Sequence, residues 1–151
     1  MDVTIKETKK FNASDILELY NLNNWSSVKV PDLLINGLKN SHCLILAYCN
    51  NKVIGLGNAI SDGYLVVYFP HLLVHPNYQG KGVGKLILNK LKEKYAGFHQ
   101  QMLTADKHAI GFYTKNGFNK AGETQSMWIY EGNDYWVLAD FPTSLHFFYK
   151  C

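Results

Sequence analysis

The segment Gln79-Gly80-Lys81-Gly82-Val83-Gly84 sets three glycines at alternate positions, with lysine at 81 and again at 85. Glycine lets a backbone turn sharply and come close to a ligand. Val83, Leu86, Ile87, Lys90, Leu91 and Tyr95 follow a helical period, so a helix is predicted to begin at this loop. The first amides of a helix have no intrahelical partner. Those N–H groups, the positive end of the helix dipole and the two lysines would make a site for an anion. Gln79 adds a side-chain amide donor. The spacing excludes two common phosphate loops. A Gly-x-Gly-x-x-Gly fingerprint needs glycine where Lys85 or Ile87 stands, and no frame gives Gly-x-x-x-x-Gly-Lys-[Ser/Thr].

Other chemistries find less support. His71 and His75 fall in an extended segment, which at about 3.3 Å per residue puts them roughly 13 Å apart, too far to share a metal. No metal site and no Ser-His-Asp or Cys-His arrangement is expected. The net charge of +3 comes from lysine alone, since the chain has no arginine. That argues against a nucleic-acid reader, which draws most bidentate contacts from arginine. Cys43 and Cys49 lie in one apolar run that reads as a single strand, so they cannot pair, and the odd count of three cysteines suggests reduced thiols. The N-terminal residues contain no apolar core of a signal peptide, and no run is long enough to span a membrane. The expectation is a single soluble, cytoplasmic domain without a membrane partner.

The elements that must position the loop are legible in outline. A weak strand within 3–11 precedes a helix capped at Asn12 and carried by Ile16, Leu17, Leu19, Tyr20 and Leu22. Asn23–Ser27 breaks it, and Pro31 opens a second helix through Leu38. Cys43–Cys49 and Val53–Ile60 form a hairpin across Asn50-Asn51. Tyr64–Val74 is predicted as a third long strand feeding the glycine loop. A short strand is expected at Met102–Ala105. A helix follows around Ala109–Tyr113, stopped by Asn116-Gly117. Phe118–Tyr130 reads as one or two final strands. This is a mixed α/β order.

Leu72 to Gly84 resembles motif A of the GNAT N-acetyltransferases, whose core [Gln/Arg]-x-x-Gly-x-[Gly/Ala] is matched by Gln79, Gly82 and Gly84. Ala109-Ile110-Gly111-Phe112-Tyr113-Thr114-Lys115-Asn116-Gly117-Phe118 is similar to that family's Ala-x-x-Phe-Tyr-x-x-x-Gly-Phe motif. Asn24-Trp25-Ser26, Ser61-Asp62-Gly63 and Met127–Tyr130 resemble an uncharacterised bacterial branch of it. The likeness covers about residues 1–130. It implies a mostly antiparallel twisted sheet of six to seven strands with flanking helices, splayed at an acetyl-CoA site. It also implies direct acetyl transfer to an amine. The backbone of Leu72, Leu73 and Val74 would pair with pantetheine. Gln79, Gly80, Lys81, Gly82, Val83 and Gly84 would hold the pyrophosphate, with Lys85 close by and Phe112 beside the cofactor. Tyr113 falls on the general-acid position, where a phenol can protonate the leaving thiolate.

Two positions depart from the family pattern. Asp106 stands where asparagine often bonds the pantetheine arm, and an ionised carboxylate accepts but cannot donate. His71 stands where the branch commonly has a carboxylate, so an imidazole is the candidate base, with a plain polar residue at a strand bulge as the equal alternative. By analogy Trp25, Tyr64 and Tyr68, with Trp128, would face a small primary amine. The aromatic tail 131–151 is expected to pack as an added strand or on a partner subunit, which admits a homodimer. A non-catalytic acyl-CoA sensor and an acetyltransferase for protein N-termini or lysines are the competing readings.

Overall fold

A computed structural model describes residues 2–129. The chain runs β1 (Thr4–Glu7), α1 (Ala13–Leu22), α2 (Pro31–Asn40), β2 (Cys43–Cys49), β3 (Lys52–Ser61), β4 (Val66–Tyr68), β5 (Leu72–Val74), α3 (Val83–Lys94), β6 (Gln100–Met102) and α4 (Ile110–Lys115). The strands form one six-stranded sheet in the order β1-β2-β3-β4-β6, with β5 also on β3. Among the described strands only the β4–β6 pairing is parallel.

β2 is a continuous apolar run because both faces of the sheet are covered. Leu44 and Leu46 pack against Ile16, Leu19, Tyr20, Leu34 and Leu38 of the first two helices. Cys43, Ile45 and Ala47 turn the other way, to Ile87, Leu91 and Tyr95. On that second face α3 lies almost on the backbone of β3. A Cβ at Gly57 would stand 2.7 Å from Ile87 Cγ2 and 2.9 Å from Leu91 Cδ1. The local signals act as expected. Asn12 caps α1 by accepting from the Ser14 N–H, and Pro31 occupies the first turn of α2.

Three expectations are corrected. The single strand over 64–74 is two strands. Between the pairs Gly57↔Leu72 and Ile60↔Tyr68 the β3 chain advances three residues while its partner advances four. The extra residue is a bulge at Phe69–His71, where Pro70 has no N–H for a ladder. The strand expected at Met102–Ala105 lies at Gln100–Met102, because β4 offers only Val66–Tyr68 to pair with it. The final strands expected in Phe118–Tyr130 are absent from 118–129, where none of the described strands meets them; Met127 and Ile129 are almost fully exposed. Tyr130 and the predicted extension 131–151 lie outside the described residues.

The bulge shapes the sheet. Phe69 N–H still donates to the Met102 carbonyl, at 2.9 Å. Beyond that point β5 stays on β3 and the β6 chain leaves towards α4, so among the described residues one side of β5 has no strand beside it.

Candidate active site

The open side of β5 carries backbone groups that need partners. Asn58 N–H donates to the His71 carbonyl at 3.2 Å, and His75 N–H donates to the Ile54 carbonyl at 2.8 Å. In an antiparallel ladder residues alternate, so His71, Leu73 and His75 face β3 while Leu72 and Val74 turn their amides and carbonyls to the opening. Gln79 Nε2 donates to the Val74 carbonyl at 3.0 Å, and at 3.2 Å to Asn23 Oδ1 at the end of α1.

The glycine loop lies at the far end of that opening. Gly80 and Gly82 have φ of +72° and +87°, which favour glycine. A Cβ at either would meet no heavy atom within 4 Å, so the loop faces open space. Gly82 is the N-cap of α3 with no side-chain cap, and no acidic residue sits in the first turn. Leu86 N–H is the first to bond back, to the Gly82 carbonyl, which leaves the Val83, Gly84 and Lys85 amides for an anion. Lys85 is exposed, and Lys81 Nζ lies 5.7 Å above the Tyr78 ring.

Phe112 and Tyr113 come to this cleft on α4. The Phe112 ring lies 3.5 Å from where a Gly84 Cβ would stand, and Val74 Cγ2 is 3.6 Å from the same point. The three residues thus meet where α3, β5 and α4 converge. Lys92 Nζ donates to the Asn116 carbonyl at 2.5 Å, which ties the end of α4 to α3. Tyr113 packs edge-on between Phe112 and Phe118. Burial, with the charge Tyr68 would carry, pushes the Tyr113 hydroxyl up to about 12, so it holds its proton through the neutral range.

His71 lies at the opposite, closed end, in the bulge itself. Its Nδ1 is 2.5 Å from the Tyr20 hydroxyl. Its ring lies edge-on to Tyr20 and to Trp25, with centroids at 5.5 and 5.1 Å. Burial brings the imidazole down to about 4 and raises Tyr20 far above the ordinary tyrosine range. His71 is therefore neutral at pH 7.

Comparison with known proteins decides the family. The acetyltransferase (GNAT) domain model matches residues 40–120. The chain belongs to the GNAT acetyltransferases. It is 27% identical over 125 residues to the uncharacterized N-acetyltransferase ycf52 of Pyropia yezoensis, covering 79% of this chain and 71% of that protein. Its fold is similar to the GNAT family protein SP0256 from Streptococcus pneumoniae TIGR4, with a TM-score of 0.75, 27% identity, and coverage of 86% and 99% of the two chains. It also resembles the aminoglycoside N-acetyltransferase AAC(6')-Iy in complex with CoA, at a TM-score of 0.65 and 14% identity over 85% and 93%. The splayed six-stranded sheet is the GNAT fold.

Within this GNAT domain the sequence candidates do not all reach the cleft. Leu72, Val74, Gln79, Gly84 and Phe112 converge on one cleft with the α3 N-terminus, and Tyr113 follows Phe112 on α4. Leu73 is buried among the α1 and α2 residues and faces away from the opening. Asp106 is engaged locally: its Oδ1 accepts from His108 N–H at 2.9 Å, and its carbonyl from Ala109 and Ile110, so it shapes the entry to α4. Tyr68 stands beside Tyr113 and reaches Thr104 Oγ1 at 3.4 Å, whereas Tyr64 is 89% exposed and apart from the Trp25–His71 group. Two residues of the site were not anticipated. Tyr20 reads in the sequence as one more apolar position of α1. Asn58 is a lone polar residue inside the buried run Val53–Ala59, which is the signal that marks it. Among the described residues no group of His, Cys, Asp and Glu converges as a metal site, and no helix is long and apolar enough to cross a membrane.

Proposed function

We propose that this acetyltransferase moves the acetyl group of acetyl-CoA directly to the primary amine of a small, largely apolar molecule in the cytoplasm. The observation that carries the reading is the uncapped α3 N-terminus at one end of the open β5 edge, with Tyr113 on the α4 wall. The loop fits a pyrophosphate. Gly80 and Gly82 leave the space clear, three amides are unengaged, and no carboxylate in the first turn opposes the charge. AAC(6')-Iy, of the same fold, is described in complex with CoA.

Acetyl-CoA would supply an acyl carbon activated as a thioester. The Val83, Gly84 and Lys85 amides would hold the pyrophosphate, with the Lys81 and Lys85 ammonium groups balancing its charge. The Leu72 and Val74 backbone groups would align the pantetheine arm, Val74 by releasing Gln79. Once the amine nitrogen has bonded to the acyl carbon, Tyr113 would give its proton to sulfur as the C–S bond breaks, and the proton lost from the acylated nitrogen would restore the phenol. Its raised pKa keeps that proton in place until it is needed. Trp25, Tyr68 and His71 would contact the acceptor at the closed end. The test is a panel of amines assayed for release of free CoA, with wild type and Tyr113→Phe side by side. CoA binding without turnover of any amine would favour a sensor over an enzyme.

A further inference from the structure

We infer that Tyr20 is a positioning residue that locks His71 in the Nε2–H tautomer, so that His71 meets the acceptor as a neutral hydrogen-bond donor and not as the base. The inference rests on the acetyltransferase reading of the cleft for the acceptor, but the tautomer itself follows from the geometry. Tyr20 is fully buried, and His71 Nδ1, 2.5 Å away, is the acceptor its hydroxyl reaches. If Nδ1 carried the hydrogen and donated to Tyr20, the tyrosine proton would be left in an apolar wall of Ile16, Leu19 and Leu73. A buried donor without an acceptor loses its hydration and gains nothing in return. With Tyr20 donating, the Tyr20 hydroxyl and Nδ1 satisfy each other, and Nε2 must carry the ring hydrogen because a neutral imidazole has only one. Turning the ring over would put the Cδ2 carbon where Nδ1 stands and leave the Tyr20 hydroxyl without an acceptor, so the observed orientation, with Trp25 edge-on at 5.1 Å, is the one that keeps the bond.

The consequence concerns the acceptor. A nitrogen bearing a hydrogen cannot take a proton from an ammonium group. It can donate only to a lone pair. The closed end of the cleft therefore favours a nucleophile that arrives as the free amine, or a neighbouring hydroxyl or carbonyl oxygen on the same molecule. It disfavours an acceptor that depends on His71 for deprotonation.

Two measurements test this. The first is a long-range nitrogen–proton NMR spectrum of histidine-labelled protein near pH 7. Nδ1 of His71 is expected as the bare nitrogen and Nε2 as the protonated one. Tyr20→Phe keeps the ring and removes the hydroxyl, and should give a mixture of both forms. A wild-type His71 protonated on Nδ1 overturns the inference, whether or not the variant folds, and so does a Tyr20→Phe spectrum with the tautomer unchanged. The second compares His71→Gln with His71→Ala on an amine that wild type acetylates. Glutamine can donate but cannot serve as a base. A donor role predicts that kcat/KM falls about tenfold in His71→Gln and about a hundredfold in His71→Ala. Equal losses of 10²–10⁴, the range for a missing general base, overturn it. Failure of every amine to react would count against the proposed function and leave the NMR result standing by itself.

Discussion

Asn58 holds His71 from both sides of one residue. The His71 N–H donates to Asn58 Oδ1 at 3.2 Å, and the Asn58 N–H donates to the His71 carbonyl at 3.2 Å. A bulge leaves one residue too many for the ladder, and here a side-chain amide completes the pairing that the backbone of β3 cannot. The remaining Asn58 N–H₂ donates to Ser41 Oγ at 2.8 Å, which itself donates to the Gly37 carbonyl at 3.0 Å. The place where the sheet opens is thus pinned to the end of α2.

Asn58→Leu should destabilise the domain by about 2–3 kcal/mol, because it strands the buried His71 N–H and leaves Ser41 with one partner fewer. Urea unfolding followed by circular dichroism checks this, with the midpoint falling and the slope preserved. A neutral substitution would mean that the bulge is held by other contacts.

The alternate glycines should respond in opposite directions. Gly82→Ala forces a side chain into the left-handed region and should cost roughly 1–2 kcal/mol. Gly84→Ala places a Cβ at ordinary contact distance from Phe112 inside a helix, and should raise stability by up to about 1 kcal/mol. Thermal unfolding separates the two. CoA binding that survives Gly82→Asp, measured by calorimetry, would refute the pyrophosphate assignment.

Tyr113→Phe should lower kcat by about 10²–10⁴ while the KM for acetyl-CoA stays nearly constant, as expected for a proton donor that contributes only during reaction. Because the folded hydroxyl stays protonated up to about pH 12, the wild-type rate should show no alkaline loss from this group below about pH 11. An alkaline limb in kcat near pH 9 that vanishes in Tyr113→Phe would contradict the burial found here.

His71 gives stability a specific acid dependence. Its pKa falls from 6.5 in the unfolded chain to about 4 in the folded one, so the unfolded state binds the proton first. Its contribution is complete above pH 6.5 and is lost as pH drops towards 4, on the order of 3 kcal/mol in all. Denaturant midpoints for wild type and His71→Gln should therefore converge on acidification through that window. Parallel curves would show the imidazole to be hydrated.

Much of the fold is local enough to read from the chain. The β2–β3 hairpin follows from two apolar runs around Asn50-Asn51, the start of α1 from Asn12, and the loop ahead of α3 from glycine spacing. What escaped is non-local. The break at Phe69–His71 is marked locally only by Pro70 inside an apolar run, and the group that completes its pairing, Asn58, is on another strand. The position of β6 is set by how much of β4 remains before that break. In the cleft, Gln79, Gly84, Phe112 and Tyr113 are legible as motif, whereas Tyr20 is hidden because nothing in the sequence separates a hydroxyl that works from an aromatic that packs.

The Gln79 side chain, bonded at once to Val74 and to Asn23, gives the protein a resting partner for the edge it leaves open. A ligand that docks along β5 exchanges one hydrogen bond for another, so its binding enthalpy should be modest. The same exchange frees Asn23 at the end of α1, two residues before Trp25. Filling one half of the cleft would then loosen the wall of the other, and the two substrates would bind in a preferred order.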